Sequence, residues 1–340
     1  MRPLISGGGF GIQAERVRFE REMEDLGITG HSTFSSSREA EYQVGGRALP
    51  KLVGEESMPP AQTIYAEIDL GIGSASNING KMKKVKPMTG IFIPRGYVAR
   101  SEVDLILYLH GYKMGYPRDS SSIDDYWKSS NFPFFALREG VNKSDKNVIL
   151  VAPTLGPRSQ TGRLVQKGWF DKYLDFVMSA LKAYGPFKDL DLRPEIGSII
   201  LACHSGGGSP MRQLALGTDF NAGKVMECWG FDFLYPGTKK DDSEKAKESK
   251  RDRLAGAWAE WAKSHKSSRL FVYHLYGEPM LVSNHLKSRN LPNVFINPST
   301  AKRKKARIYG KKGVEVHGHY WVPIEHWLER IQNAAFLKNR

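Results

Sequence analysis

A serine followed by three glycines ends a strongly apolar segment of the chain, in residues 198–210, SIILACHSGGGSP. The apolar run predicts a buried strand over 197–205, and the residues that follow predict a helix over 210–217. A serine on a tight turn between a strand and a helix is exposed at the strand end, where its hydroxyl can attack an acyl carbon. Ser205 is therefore a candidate nucleophile. The alternative is an ordinary glycine-rich connection.

A serine hydroxyl of normal acidity needs a base to remove its proton, and imidazole has the right pKa near neutral pH. Residues 314–327, VEVHGHYWVPIEHW, supply histidines shortly before the last predicted helix. His319 is favoured as the base because it lies in the loop just before Pro323, which suits the first turn of a helix. His317, at the end of the preceding strand, is the alternative.

A third group must orient the imidazole and stabilise its positive charge. Asp232 follows an apolar run in WGFDFLYPG, and Glu278 follows the next predicted strand in HLYGEPM. Asp232 is favoured because a partly buried carboxylate would bond strongly to the ring, and Glu278 is the alternative. Either choice keeps the chain order serine, acid, histidine.

Two backbone amides are expected to stabilise the oxyanion of a tetrahedral intermediate. The segment LILYLHGYKMG, residues 105–115, ends a buried strand in His-Gly, so the amides of Tyr112 and Gly206 could point at the same place. A plain strand-to-turn connection is the alternative for this segment. Three residues beside these groups are expected to contact the substrate: Gly111, His204 and Trp321.

The elements that must position these residues are apolar runs alternating with helical patterns. This alternation predicts a mostly parallel sheet with helices on both faces, and in such sheets ligands bind beyond the carboxyl ends of the strands. The candidate side chains all follow predicted strands. We expect strands in residues 63–73, 89–94, 103–111, 147–153, 197–205, 224–237 and 269–277, and helices in residues 132–140, 167–185, 210–217, 253–265 and 323–338.

The 340 residues are predicted to form an N-terminal arm, residues 1–60, and one catalytic domain, residues 61–340. The arm is assigned because it is polar and rich in serine. A charged insertion is expected at about residues 238–253, and a solvated loop or helix is favoured there over a mobile cap. The chain has no apolar run of transmembrane length and no visible signal peptide, so we expect no membrane span and a cytoplasmic protein.

The net charge of +14 bears on possible partners, because residues 301–313 carry seven Lys or Arg and no acid. This segment matches no nucleic-acid-binding module, so a solvated loop is favoured over a functional basic patch and nucleic acid is not the expected partner. Two cysteines cannot make a disulfide framework. No histidines are spaced as metal ligands, so neither a metal nor a cofactor is expected.

The motifs together resemble the α/β-hydrolase superfamily over residues 60–340, and more narrowly bacterial hypothetical hydrolases. They are a YLHG strand at Tyr108–Gly111, an HSGG nucleophile elbow at His204–Gly207, a D-x-LY segment at Asp232–Tyr235 and a late H-x-x-VP at His319–Pro323. Cys203 stands where the G-x-S-x-G pattern has its first glycine.

This resemblance implies the α/β-hydrolase fold, with a sheet of about eight strands. It also implies a serine hydrolase with a Ser-His-Asp triad, an oxyanion hole and an acyl-enzyme. A carboxylic ester is the favoured substrate, and the partner is then a small-molecule or peptide acyl compound. A peptidase or amidase on the same triad is the first alternative. A non-catalytic binding or effector protein with the hydrolase fold is the second.

Overall fold

The computed structural model describes residues 43–44, 47–48, 51–58, 61–76, 82–112, 120–121, 123, 137–191, 193–308 and 311–340. The central sheet consists of β1 (Lys51–Met58), β2 (Ala61–Glu67), β3 (Met88–Ile93), β4 (Glu102–Leu109), β5 (Ile149–Pro153), β6 (Glu195–His204), β7 (Val225–Phe231), β8 (Arg269–His274) and β9 (Val294–Pro298). Two further strands, β10 (Lys304–Ile308) and β11 (Lys311–Val316), form a separate hairpin. Short strands outside these sheets are Gln43–Val44, Arg47–Ala48, Ser74–Ser76, Met82–Val85 and Ser120–Ser121.

The described helices are α1 (Leu137–Lys143), α2 (Trp169–Tyr184), α3 (Gly208–Ala215), α4 (Glu244–Ser264), α5 (Glu278–Lys287) and α6 (Val322–Gln332). Three 3₁₀ turns accompany them, at Ser205–Gly207, Phe220–Lys224 and Gly318–Trp321. Among the described residues, no helix is both long enough and apolar enough to cross a membrane.

The nine strands of the central sheet lie in the order β9-β8-β7-β6-β4-β5-β3-β2-β1. The six strands from β9 to β5 pair in parallel, whereas β3, β2 and β1 join by antiparallel pairing. The fold class predicted from the sequence, a mostly parallel α/β sheet flanked by helices, is confirmed. Because β5 lies on one side of β4 and β6 on the other, the chain changes direction across the sheet here. A crevice is expected at the carboxyl ends of strands at such a point.

Successive residues of the central strand β4 enter two different cores. Leu105, Leu107 and Leu109 pack beneath α2, α3, α4 and α5, whereas Ile106 and Tyr108 pack beneath α1 and α6. All five side chains are fully buried. A strand that is covered on both faces cannot alternate between apolar and polar residues, which explains the continuous apolar run in the sequence.

The boundaries of several predicted elements are corrected by the structure. Helix α4 begins at Glu244 rather than at residue 253, with the Ser243 side chain accepting a bond from the Ala246 amide (3.2 Å). Most of the charged insertion at 238–253 is therefore the exposed start of a 21-residue helix.

Two elements of the domain, α5 and β9, were not predicted. β9 is a half-exposed edge strand with only three consecutive apolar residues, 294–296, too short a run to stand out in the sequence. The central sheet begins before residue 60, because β1 pairs with β2 from Lys51 onward.

The basic segment is a β-hairpin where the sequence predicted a loop. Strands β10 and β11 pair with Lys304 opposite Val316 and Lys305 opposite Glu315. Val316 and Ala301 are buried against the core beneath α6, which anchors the base of the hairpin. The chain then passes directly into His317 and the turn Gly318–Trp321, so the hairpin leads into the candidate catalytic histidine.

Candidate active site

Ser205 occupies a strained turn between β6 and α3. Its φ is +54°, in the left-handed region that costs a residue with a side chain roughly 1–3 kcal/mol. The strand ends at His204, a single 3₁₀ turn follows, and α3 begins at Gly208. Ser205 is partly exposed although the residues before it are buried. The turn therefore presents a serine side chain at the carboxyl edge of the sheet, as the sequence predicted.

Glycines are required around Ser205 because other backbone segments pass very close. A Cβ on Gly207 would lie 2.1 Å from the carbonyl oxygen of Leu109, at the end of β4. A Cβ on Gly111 would lie 2.7 Å from the Cβ of Ser205. The loop after β4 and the elbow after β6 are thus packed backbone to backbone, a contact that side chains would prevent.

Cys203, which replaces the first glycine of the G-x-S-x-G pattern, fits within the strand. It pairs with Leu109 on one side and with Gly230 on the other, and it is fully buried. Burial raises the pKa of the Cys203 thiol well above its ordinary value, so the group stays protonated and packs as a small apolar side chain. The departure from the pattern leaves the positive φ at Ser205 in place.

The turn after β4 is held by the buried side chain of His110. Its Nε2 accepts a hydrogen bond from the Leu155 amide (2.9 Å), so its Nδ1 carries the proton and donates to the Gly111 carbonyl (2.8 Å). The hydroxyl of Ser159 donates to the His110 carbonyl (2.9 Å). Ser159 was not predicted as part of the site, and its positive φ of +57° is visible only in the fold.

The two residues predicted to supply oxyanion amides are in contact. A Cβ on Gly206 would lie 2.3 Å from the ring of Tyr112, so the ring packs directly over this glycine. Tyr112 is 45% exposed, and it forms part of the surface around Ser205.

His319 and Asp232 form the strongest polar contact at this edge. His319 Nδ1 donates to Asp232 Oδ2 at 2.6 Å, and the carboxylate side chain is only 4% exposed. The other carboxylate oxygen accepts the Leu275 amide (3.0 Å). With the proton on Nδ1, the basic lone pair of the ring lies on Nε2. The arrangement suits a base that must take a proton and hold the resulting charge.

Asp232 reaches this position through an unusual backbone. It directly follows β7, its φ is +47°, and its amide donates to the Tyr273 carbonyl (2.7 Å). The chain therefore turns sharply at the sheet edge and directs a buried carboxylate towards the loop that carries His319.

Tyr235 contacts both the acid and the base, a role that was not predicted for it. Its hydroxyl lies 3.4 Å from Asp232 Oδ2 and 3.4 Å from His319 Nδ1. Burial and the neighbouring Asp232 charge raise the pKa of Tyr235, so the phenol keeps its proton and can donate to the carboxylate. The only sequence signal was its place in the D-x-LY segment, three residues after Asp232.

His204 joins the elbow to the loop that carries His319. Its Nε2 donates to the His319 carbonyl (3.0 Å), and the two imidazole rings lie 4.3 Å apart between centroids. Burial lowers the pKa of His204 well below its usual value, so it remains neutral. The sequence predicted a substrate contact here, but the side chain is 1% exposed and supports His319 from beneath.

The other predicted substrate contacts differ in exposure. Gly111 is buried against the elbow, whereas Trp321 is partly exposed at the end of the turn that follows His319.

The alternative base and the alternative acid are both engaged elsewhere. His317 caps the turn Gly318–Trp321, because its Nδ1 accepts the His319 amide (3.2 Å) and its Nε2 donates to the Tyr276 hydroxyl (2.6 Å). Glu278 begins α5 and binds Arg251 through both oxygens (2.9 and 2.7 Å). This contact with Arg251 lowers the pKa of Glu278. The structure thus brings Asp232, rather than Glu278, to His319.

Ser205 and His319 lie on adjacent segments but are not hydrogen-bonded to each other. Within the described part of the chain, the structure records no hydrogen bond between the Ser205 hydroxyl and the His319 ring. Hydrogen bonds of this kind often form fully only when a substrate binds. No group of three or more His, Cys, Asp or Glu among the described residues is arranged to hold a metal ion.

Comparison with known proteins gives structural likeness but no sequence relative. No protein-family model matches the chain, and the search of curated proteins found no match. Among solved structures, the chain is similar to a ferulic acid esterase, with 12% identity over 80% of this chain and 99% of that one and a TM-score of 0.45.

Two more solved structures show a likeness of the same order. An S-formylglutathione hydrolase from Agrobacterium tumefaciens has 12% identity over 73% of this chain and 89% of that one, with a TM-score of 0.40. Brefeldin A esterase, a bacterial homologue of human hormone sensitive lipase, has 10% identity over 98% of this chain and 85% of that one, also with a TM-score of 0.40. Likeness at this level assigns no activity, so the chemistry must be argued from this chain's own residues.

Proposed function

We propose that the protein is a serine hydrolase that cleaves carboxylic esters through an acyl-enzyme. The observation that carries the proposal is the 2.6 Å bond between His319 and the buried Asp232, beside a serine held at a φ of +54°. Strained backbone and buried charge are both costly, and they persist together where they serve a reaction. A glycine-rich connection without a catalytic role would need neither.

In the proposed reaction, Ser205 Oγ attacks the acyl carbon while His319 Nε2 takes the hydroxyl proton. The amides of Tyr112 and Gly206 receive the oxyanion of the tetrahedral intermediate, and each such donor lowers the barrier by roughly 3–4 kcal/mol. The protonated His319 then gives its proton to the leaving oxygen, and the alcohol departs. Water attacks the resulting ester of Ser205 by the same steps and releases the acid.

The surrounding residues give His319 its role in this scheme. The Asp232 carboxylate stabilises the imidazolium formed after proton transfer, and its bond to Nδ1 keeps Nε2 directed away from the acid. Neutral His204 beneath the ring adds no competing positive charge. Tyr235 donates to the same carboxylate oxygen.

An ester is proposed over an amide because an alkoxide leaves with less assistance than an amine does. The same residues could act on a peptide or amide bond, and a matched pair of substrates separates the two. We expect the 4-nitrophenyl ester of an acyl chain to be turned over at least about a hundred times faster than the 4-nitroanilide of the same chain. Equal rates would favour an amidase or peptidase.

Covalent labelling with a fluorophosphonate tests whether the protein is an enzyme at all. We expect one label on the intact protein, at Ser205, and none on Ser205→Ala. Ser209→Ala is the matched control, because Ser209 is an exposed serine four residues further along the chain and should leave labelling unchanged. Absence of labelling on the natural protein would favour a binding or effector role, and labelling of Ser205→Ala would exclude this nucleophile.

A further inference from the structure

A basic hairpin, residues 301–316, leads into the loop that carries His319, because its second strand runs into His317. Tyr235 lies 3.4 Å from His319 Nδ1 and is followed by the turn 236–243, in which two lysines are balanced by Asp241 and Asp242. The positive charge beside the candidate base therefore comes from the hairpin.

Most carboxylates near the hairpin and this turn have partners in the protein. Asp232 is bonded to His319, and Glu278 to Arg251. The remaining contacts are Asp242 with Lys250 (2.5 Å), Glu315 with Arg303 (3.4 Å), and Glu325 with the hydroxyls of Ser299 and Thr300. Glu325 also lies near enough to Lys304 for their charges to interact, so these acids offset only part of the charge of the hairpin.

Three lysines of the hairpin lie in no ion pair. Lys302, Lys304 and Lys305 are exposed, and within the described ranges none of their ammonium groups belongs to a salt bridge. Because residues 301–316 carry seven Lys or Arg and one acid, this side of the candidate site has a net positive charge.

One of these charges has a defined position relative to the base. The Lys304 ammonium lies over the ring of Trp321, 5.3 Å from its centroid, within the range of a cation–π contact. Trp321 ends the 3₁₀ turn that contains His319. A cation and an aromatic surface are therefore held together two residues from the group proposed to activate Ser205.

We infer that the substrate is an ester that carries a negatively charged group, such as a carboxylate, away from the bond that is cleaved. This inference rests on the proposed hydrolase function and adds the substrate class. Charges of one sign around a site raise the local concentration of oppositely charged ligands and their association rate. An acidic group on the distal part of an acyl chain or alcohol would meet Lys304 while the ester lies at Ser205.

A pair of esters that differ only in charge tests the inference on the full-length protein. The neutral member is 4-nitrophenyl hexanoate, and the anionic member is the mono-4-nitrophenyl ester of adipic acid, with the same six-carbon acyl chain. We expect kcat/KM to be about tenfold higher for the anionic ester at low ionic strength. The ratio should fall towards one in about 1 M salt, where the screening length is about 3 Å.

Matched charge variants locate the effect. Lys304→Gln/Lys305→Gln should lower the ratio of anionic to neutral kcat/KM about fivefold. The control is Lys266→Gln/Lys287→Gln, which removes the same net charge from two exposed positions, one just before β8 and one at the end of α5. The control should keep the natural ratio.

The outcomes separate this inference from the proposed function. Turnover of both esters with equal kcat/KM, or a preference that both double variants reduce equally, would overturn the inference and leave the hydrolase intact. Absence of turnover together with absence of fluorophosphonate labelling would overturn both. Binding of a single-stranded oligonucleotide that Lys304→Gln/Lys305→Gln abolishes, with an unchanged ester ratio, would assign the hairpin to nucleic acid and overturn the inference.

Discussion

Replacement of Asp232 by asparagine tests the acid–imidazole pair with almost no change in shape. Oδ1 of Asp232 accepts the Leu275 amide, so an asparagine would keep its carbonyl oxygen there and place its NH₂ group at the Oδ2 position. That NH₂ group would face His319 Nδ1, which in the natural protein donates its proton to Asp232 Oδ2 at 2.6 Å. Two donors cannot share one bond, so the imidazole must move its proton to Nε2.

The size of the expected loss in kcat follows from the loss of the basic lone pair on His319 Nε2. With a proton on Nε2, the ring cannot accept one from Ser205, and the charge that stabilises the imidazolium is also gone. We expect kcat for an ester to fall about 10³- to 10⁴-fold, which at 1.36 kcal/mol per tenfold is roughly 4–5.5 kcal/mol of transition-state stabilisation. KM should change little, because the buried carboxylate does not touch the substrate.

The assay compares steady-state hydrolysis of a 4-nitrophenyl ester by Asp232→Asn and by Glu278→Gln, with the unfolding midpoint in denaturant measured for both. Glu278→Gln removes a carboxylate that binds Arg251, so we expect a loss of stability of about 1 kcal/mol or less and activity within about twofold of the natural protein. A large kcat loss in Glu278→Gln, with near-normal activity in Asp232→Asn, would refute the reasoning.

Three further predictions concern the base, the elbow and pH. His319→Gln should lower kcat for ester hydrolysis at least about 10³-fold, whereas His317→Gln should lower it less than about tenfold. His317→Gln should also lower the free energy of unfolding by roughly 1 kcal/mol, because the cap of the turn Gly318–Trp321 is lost. If His317→Gln caused the larger loss of kcat, His317 would be the base. Gly207→Ala should destabilise the fold by about 3 kcal/mol or more, because its methyl group would lie 2.1 Å from a backbone oxygen. Gly256→Ala, in open space within α4, should instead stabilise the fold by up to about 1 kcal/mol. Equal unfolding midpoints for the two variants would contradict the close packing at Gly207. Because burial lowers the pKa of His204, the unfolded chain binds a proton below about pH 6.5 that the folded chain does not bind. The free energy of unfolding therefore decreases as the pH is lowered. Between pH 7.5 and 5.5 the natural protein should therefore lose about 1.4 kcal/mol more than His204→Gln, and equal losses in urea unfolding would show that His204 becomes protonated in the fold.

The local sequence determined the parts of the protein that depend on neighbours along the chain. Continuous apolar runs such as 103–109 predicted strands covered on both faces, because a strand with no polar face must be buried twice. The serine and glycines after residue 204 predicted a tight turn between a strand and a helix, and the structure has such a turn, with a φ of +54° at Ser205. The sequence also predicted the order of serine, acid and histidine along the chain, because each candidate follows a different predicted strand.

Only the tertiary structure decided between candidate residues that have the same chemistry and similar positions after predicted strands. Asp232 and Glu278 both follow strands, but a backbone turn with φ of +47° directs one to His319, and Arg251 from α4 holds the other. His204 looked like a substrate contact because its burial depends on a loop 115 residues away. The basic hairpin was predicted to be a loop because its short, charged strands lack the alternation of apolar and polar residues that indicates a strand. Contacts between distant segments set these outcomes, and no local pattern of residue types encodes them.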